Sequence, residues 1–533
     1  MSAMVRSSGR IVTPDLWSVF LLVKHLLYRF SPDVLRSIYQ RIEASPLGYR
    51  LAKGAFWSLA GSLISRGLGL VSGILVGRFL GKASFGELGM IQSTVGMFGA
   101  VAGFGMGMMA TRYVAELRLK DPLRAGRIIA LSSATTWISS GVLALVLVIF
   151  APWLAEHTLA APKLAGLLRI GSLLLLLGGI NSAQTGALSG FEAFKAISRI
   201  NLITGVLSFP MMVFGAWFWG VTGAVWGLIG NYAVNSWLNW NTLRQEARKS
   251  GISINYADCW SERVVFWKFN VPSILNSIMF SFSAWACGAI LVHQIGGYGG
   301  MGLFNAANRV RAVPELLVGM LIAPLLPVLS ETFGRKDMDQ YGKTLIFTYT
   351  LGTLIIVPLA LVQVAAPWVT LLPYGTDYQG GDSVVRWLMA GSIAYSLVLP
   401  MGSILVSMGR MWLAFFLVVF YISLYFGLGW LLIPHYGAAG YAAAWTIAFV
   451  VGNVFCVIFL YLKLGRVMRR IQWLRMALVT CALLLICWFV SNSASKTVAI
   501  MLGLFGALSF CVWRLLACRK DFRVDRRDVK FCE

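Results

Sequence analysis
Apolar runs, each about the length of a bilayer crossing, follow one another from residue 55 to residue 517 with only short charged intervals between them. A hydrocarbon core of about 30 Å takes roughly 20 helical residues to cross. Inside it a backbone amide has no water to bond, so an unpaired strand is excluded and helices are the expected elements. The runs read as fourteen spans, at about 55–80, 88–112, 127–151, 164–190, 198–219, 222–243, 264–294, 303–330, 344–371, 384–408, 411–433, 440–462, 474–491 and 497–517. With 58% hydrophobic and 12% charged residues, against about a quarter charged in globular chains, a soluble enzyme is excluded. The predicted fold class is an all-α polytopic membrane protein: two parallel six-helix repeats around a central cavity, plus two C-terminal helices.

The basic residues fix an orientation. If the N-terminus is cytoplasmic, the inside segments hold 36 Lys and Arg and the outside connections hold 4: Lys82, Lys163, Arg386 and Lys496. Positive residues beside a span resist translocation, so both termini are expected in the cytoplasm of a cell whose inner membrane holds the chain. The formal charge of +24 is then a topology signal and an attraction for anionic lipids, not a mark of nucleic-acid binding. Eight scattered cysteines without a C-x-x-C pair, and four histidines, point to no metal, no disulfide framework and no cofactor. The expected units are an N-terminal cytoplasmic or interfacial segment 1–54, a first bundle 55–250, a second bundle 263–463, two added helices 474–517 and a basic tail 518–533. Within the first unit, Leu16–Phe30 fits a helix lying in the membrane interface and lacks a signal-peptide cleavage site.

The repeat is written in the glycines. Ile74-Leu75-Val76, Gly81 and Gly86 recur as Ile290-Leu291-Val292, Gly297 and Gly302, at an offset of 216. Gly220 and Gly223 recur as Gly437 and Gly440, and Arg169 as Arg386, at an offset of 217. An even number of spans per unit makes the copies parallel, related by an axis along the membrane normal, with a cavity between bundles that can rock. Small-residue stripes run along span one (Ser65, Gly69, Gly73, Gly77, Gly81) and span two (Gly99, Gly103, Gly107). They allow either tight static packing or sliding of helix on helix.

Some charges lie inside the spans: Arg66, Arg78, Arg169, Arg309, Arg311 and Glu315. An arginine at mid-membrane costs at least ~2.5–3.5 kcal/mol, so it faces a cavity or a partner. Arg66 lies roughly 16 Å into span one at 1.5 Å per residue. Guanidinium groups in a low dielectric attract anions and grip phosphate oxygens as a fork. For Arg311, four residues before Glu315, a same-helix ion pair is the other reading. Asn231, Asn235 and Asn239 stripe span six, where amides suit either sugar hydroxyls or contacts between helices.

Several motifs resemble a known family. Trp57-Ser58-Leu59, Ser65-Arg66, Gly77-Arg78-Phe79-Leu80-Gly81 and Phe85-Gly86, then Arg112-Tyr113 and Glu116, look like the first two helices of the polysaccharide (O-antigen and exopolysaccharide, Wzx-type) flippases of the multidrug/oligosaccharidyl-lipid/polysaccharide exporter superfamily. Phe304-Asn305-Ala306-Ala307-Asn308-Arg309, Pro314 and Leu325-Leu326-Pro327-Val328-Leu329-Ser330 look like its eighth helix, and the resemblance covers about residues 50–465. It implies transfer of undecaprenyl-diphosphate-linked oligosaccharide from the cytoplasmic to the periplasmic leaflet by alternating access. Arg66, Arg309 and Arg311 become diphosphate-binding candidates, and the three asparagines possible sugar contacts. Anionic lipids and a polysaccharide polymerase or export machinery are the further implied partners. The second span-one arginine of the related lipid II flippases falls here on Ser72, and their sodium-site carboxylates have no counterpart, which leaves Glu315 as the proton-coupling candidate. Two rivals remain. A multidrug exporter of the same fold favours intramembrane carboxylates over arginines. A membrane glycosyltransferase or polymerase needs a sizeable external loop, and the longest outside connections carry only Glu156, His157, Asp377 and Asp382.

Overall fold
The structure, a computed structural model, describes residues 46–103, 105–256, 258–262, 271–322, 329, 332–335, 338–407 and 411–470. The segment 1–45, the expected spans 474–491 and 497–517 and the tail 518–533 lie outside the described residues, as do Leu325–Val328 and Ser330. Every long element described is helical: α1 (Pro46–Ala102), α2 (Met106–Leu117), α3 (Pro122–Trp153), α4 (Leu164–Gly190), α5 (Phe194–Lys249), α6 (Val271–Val292), α7 (Gly297–Ile322), α8 (Met338–Ala365), α9 (Pro367–Leu371), α10 (Asp382–Ser407) and α11 (Met411–Arg470). Seven of the described helices are long and apolar enough to cross a bilayer.

Local chemistry explains several boundaries. Asp121 caps α3 by accepting the Arg124 amide at 3.0 Å, and Pro122 opens the first turn, where no amide donor is needed. α1 begins at Pro46, not near residue 55. The second span departs from its expected continuity over 88–112. The chain leaves the helix after Ala102 and turns at Gly105 (φ 63°) before α2 resumes. A left-handed residue cannot continue a right-handed helix, and glycine takes that conformation without a Cβ clash.

Three of these helices are too long for one crossing. At 1.5 Å per residue the 56 residues of α5 would reach over roughly 80 Å. The chain reverses instead at Trp219–Gly220, with Gly220 at φ 59°. A Cβ on Gly223 would overlap the Gly215 carbonyl, and one on Gly227 the Met211 carbonyl, so the two arms run side by side. The same hairpin occurs in α11, where Gly437 has φ 53° and a Cβ on Gly440 would overlap the Leu432 carbonyl. Gly223 against residue 215 and Gly440 against residue 432 are the same contact displaced by 217. The glycine repeat therefore encodes a repeated hairpin. In α1 the reversal falls at Gly81 (φ 74°), since Gly73 and Gln92, on either side of it, both touch Arg309.

The packing falls into two sets. α2, α3, α4 and α5 pack on one another, and α6, α7, α8, α10 and α11 do likewise. In the first set Gly186 and Gly107 approach backbone to backbone, and the Thr111 hydroxyl donates to the Gly186 carbonyl at 2.9 Å. These small residues serve close contact between α2 and α4. The two sets meet through α1 on one side and α6 and α7 on the other.

Candidate functional site
The meeting of the two sets is itself symmetric in sequence. A Cβ on Gly86 would overlap the Tyr298 carbonyl, and a Cβ on Gly302 would overlap the Lys82 carbonyl. Residues 86 and 302, like 82 and 298, are related by 216, so each repeat offers the other the same pair of groups, as in a two-fold interface. Gly89 and Asn305, also 216 apart, face each other on that pseudo-axis.

Around this axis the reversal of α1 at Gly81 and the first turns of α7 form a seal. Arg309 lies against Gly73, where a Cβ would stand 2.6 Å from its Nη1. Its Nη2 donates to Gln92 Oε1 at 3.3 Å, and its guanidinium lies 5.4 Å from the Phe85 ring. The connection after α9 closes over it: Tyr374 packs on Gly77, and the Tyr378 hydroxyl donates to the Gly77 carbonyl at 2.9 Å. Tyr298 donates to the Leu159 carbonyl at 2.7 Å, and Lys163 pairs with Glu87 at 2.6 Å. The innermost bond of the seal joins Trp285 Nε1 to Thr94 Oγ1 at 3.0 Å.

Two helical turns further along, the same helix faces are open. Residues seven apart share a face to within about 20°. Gly73 is covered by Arg309, whereas Arg66 is exposed. Gly89 is covered by Asn305, whereas Gly96 is exposed with nothing within 4 Å of its would-be Cβ. Asn305 is partly covered and Ala312 is exposed. The two arms of α1 and the start of α7 thus part from one sealed end, with Arg309 at that end and Arg66 on an uncovered stretch beyond it.

The other expected site residues divide between partners. Arg311 Nη1 lies 2.6 Å from Glu315 Oε1, with both side chains 12% accessible. Arg311 also donates to Asn308 at 2.9 Å and covers the Trp445 ring at 4.1 Å. Ser392 donates to the same Glu315 oxygen at 2.9 Å. Of the two sequence readings of Arg311, the structure shows the ion pair. Asn231 and Asn235 line a polar cavity of 300 Å³ with Ser65, Asn181, Thr204 and Ser208. Asn231 already donates to the Thr204 carbonyl at 2.8 Å, while the Asn181 Oδ1 there has no partner among the described residues. Asn239 is separate: it is buried behind them and donates to Asn235 Oδ1 at 2.6 Å. Ser72 is fully buried, and its hydroxyl has no partner among the described residues.

Sequence reasoning missed Gln92, Phe85, Tyr374 and Tyr378. The two tyrosines had one signal, a pair of aromatic hydroxyls in the otherwise short connection 372–382. Outside the spans, burial raises the Cys259 thiol above its ordinary value, in keeping with a filler role.

The described residues form a multi-pass helical membrane protein built on two linked bundles, with the cleft between them sealed at one end. Residues 51–333 match the family described as polysaccharide biosynthesis proteins; this is more than half of the chain, and the chain belongs to that family. It is 21% identical over 411 residues to proteins named Lipid III flippase from Escherichia coli K12 and Shigella flexneri, covering 76% of this chain and 97% of each relative. Its fold is shared with a solved lipid II flippase, MurJ, in an inward closed conformation (TM-score 0.62, 16% identity, 86% of this chain and 99% of that one). An inward-facing multidrug transporter of the MATE family shares it as well (TM-score 0.61, 17% identity, 78% and 99%).

Proposed function
We propose that the chain is a flippase that carries undecaprenyl-diphosphate-linked oligosaccharide from the cytoplasmic to the periplasmic leaflet of the inner membrane, for polysaccharide export. The observation that carries this reading is the placing of Arg66: exposed, mid-span, on the face of α1 that Arg309 of the second bundle covers two turns further on, at Gly73. The flippase names of its curated relatives support the cargo class. With both termini in the cytoplasm, as the 36-to-4 distribution of basic residues requires, the sealed end is periplasmic and the cleft stands open to the cytoplasm, ready to load.

Arg66 then takes the diphosphate first. Arg309 has weak partners at the apex, a neutral amide at 3.3 Å and a ring face. Charge-assisted bonds to phosphate are roughly twice as strong as neutral ones, so an arriving diphosphate draws Arg309 off Gln92 and loosens the seal. Arg311 stays with Glu315, and Asn231, Asn235 and the free Asn181 oxygen meet the sugars. Glu315 is the group available for proton coupling. A periplasmic polymerase or export machinery would receive the product. A multidrug exporter of the same fold would turn a carboxylate to the cleft, and Glu315 faces Arg311 and Ser392 instead.

The test is surface polysaccharide per unit of membrane-inserted protein. One charge-assisted contact is worth about 1.5–3 kcal/mol, so Arg66→Ala should lower export roughly ten- to hundredfold at normal protein levels. Arg66→Lys should fall between, because a point charge lacks the bidentate fork. Wild-type export by Arg66→Ala would refute the cationic-cleft mechanism.

A further inference from the structure
Away from the cleft, α3, α4 and α5 leave a slot of 460 Å³ whose walls include Trp137, Leu177, Ile180 and Trp237. At the end carrying the 250–256 connection it meets a second cavity of 440 Å³ that includes Arg244, Arg248 and Ser253. Trp240 and Tyr256 line both, so the two form one groove, apolar along its length and cationic at its mouth. Trp137 and Trp237 are each more than half exposed, at 53% and 63%. The groove therefore opens sideways, toward the surface that a transmembrane bundle presents to lipid.

Some basic residues at this end of the bundle have carboxylate partners: Arg124 and Arg127 share Glu262, and Lys249 has Glu246. Arg244 and Arg248 are in no ion pair among the described residues. They lie one helical turn apart on α5, a spacing that puts both on one face, and the Arg244 guanidinium sits 4.5 Å from the Trp240 ring. Two exposed guanidinium groups beside a serine hydroxyl form a phosphate-sized acceptor site, continuous with a slot fit for a hydrocarbon chain. A zwitterionic headgroup would bring its own cation to these arginines and lose by repulsion part of what its phosphate gains. An anionic headgroup brings none.

We propose that this groove is a binding site for an anionic glycerophospholipid, with an acyl chain between Trp137 and Trp237 and the headgroup phosphate on Arg244 and Arg248. The site lies outside the transport cleft and does not depend on the transport reading. Bound there, the lipid would clamp α5 to α3 at the membrane surface and tie the first bundle to the charge of its leaflet.

The full chain, purified in detergent micelles, should be titrated with mixtures of phosphatidylglycerol and phosphatidylcholine of the same acyl composition and read by native mass spectrometry. Phosphatidylglycerol should be retained about tenfold better, because both lipids offer the phosphate but only phosphatidylcholine sets a cation against the arginines. Arg244→Ala/Arg248→Ala should bring the ratio near one, and Arg244→Lys/Arg248→Lys should keep most of it. Ala233→Trp, which fills the slot, should reduce retention of both lipids together; thermal unfolding of each variant guards against a folding defect. An undiminished preference in the double alanine variant overturns the site. So does displacement of phosphatidylglycerol by inorganic phosphate alone, which would remove the acyl chain from the site. One-for-one displacement by a polyprenyl phosphate would also overturn it, because the occupant would then be a prenyl lipid. Arg66→Ala should leave the lipid ratio unchanged, so failure of the transport reading and failure of this site give different results.

Discussion
The two ends of the cleft are built from the same three helices and behave as opposites. At the sealed end, glycines of one repeat lie on the backbone of the other, and Arg309 is held by an amide, a ring and the tyrosine-bearing connection. At the open end the same faces carry Arg66, Gly96 and Ala312 with nothing over them. Neither helix composition nor glycine content separates the two. The difference is that residue 89 meets its own equivalent 216 positions on, while 82 and 86 each meet the other's equivalent. A contact between equivalents is self-complementary, so one ancestral surface, once duplicated, could close on itself. The divergence of the helices away from that contact leaves the rest of the face as a cleft wall.

The largest effect should come from a charged region that belongs to neither end. Arg311→Ala or Glu315→Ala strands the remaining charge in the second bundle, and each should destabilise the protein by about 3–5 kcal/mol. The double variant Arg311→Ala/Glu315→Ala should unfold at a higher temperature than either single one, and recovery of export with it would count against Glu315 as the proton-coupling group. If the double variant is stable yet does not transport, Glu315 acts as a proton carrier and the cleft has a second functional charge.

Next comes the reciprocal glycine contact. Gly86→Ala and Gly302→Ala each add a methyl group where a carbonyl already stands, an overpacking worth typically ~1–3 kcal/mol against the sealed state. With Ser93→Cys in a cysteine-free background, labelling by an impermeant maleimide from the sealed side should rise for both, to a similar degree. Gly96→Ala, at the open end, should change nothing. Unequal effects of Gly86 and Gly302 would break the two-fold description of the seal.

The smallest energetic effect is that of Tyr378→Phe, which removes the hydrogen bond to the Gly77 carbonyl and should weaken the seal by about 1 kcal/mol. The same maleimide assay should register a few-fold rise in labelling. Reporter fusions then assign the ends to compartments without altering either: fusions after Ser250 and Arg470 should read cytoplasmic, and fusions near His157 and Asp377 periplasmic. A periplasmic reading after Ser250 would reverse the loading side.

What the sequence determined by itself is whatever depends on neighbours along the chain. Span length, the hairpins at Gly220 and Gly437 and the offset of 216–217 follow from hydropathy and from glycine's tolerance of a left-handed backbone. The Arg311–Glu315 pair was legible as one of two readings, because four residues along a helix bring side chains together whatever the fold. Only the tertiary structure decided which glycines meet a partner. Gly73 and Gly69 look alike in the sequence, yet one lies under Arg309 and the other under nothing. It also separated Asn239 from Asn231 and Asn235, and brought Gln92, Phe85, Tyr374 and Tyr378 around Arg309. Those outcomes depend on the angle at which one helix crosses another. That angle is set by packing between residues that lie from 27 to more than 200 positions apart, which no local pattern in the chain records.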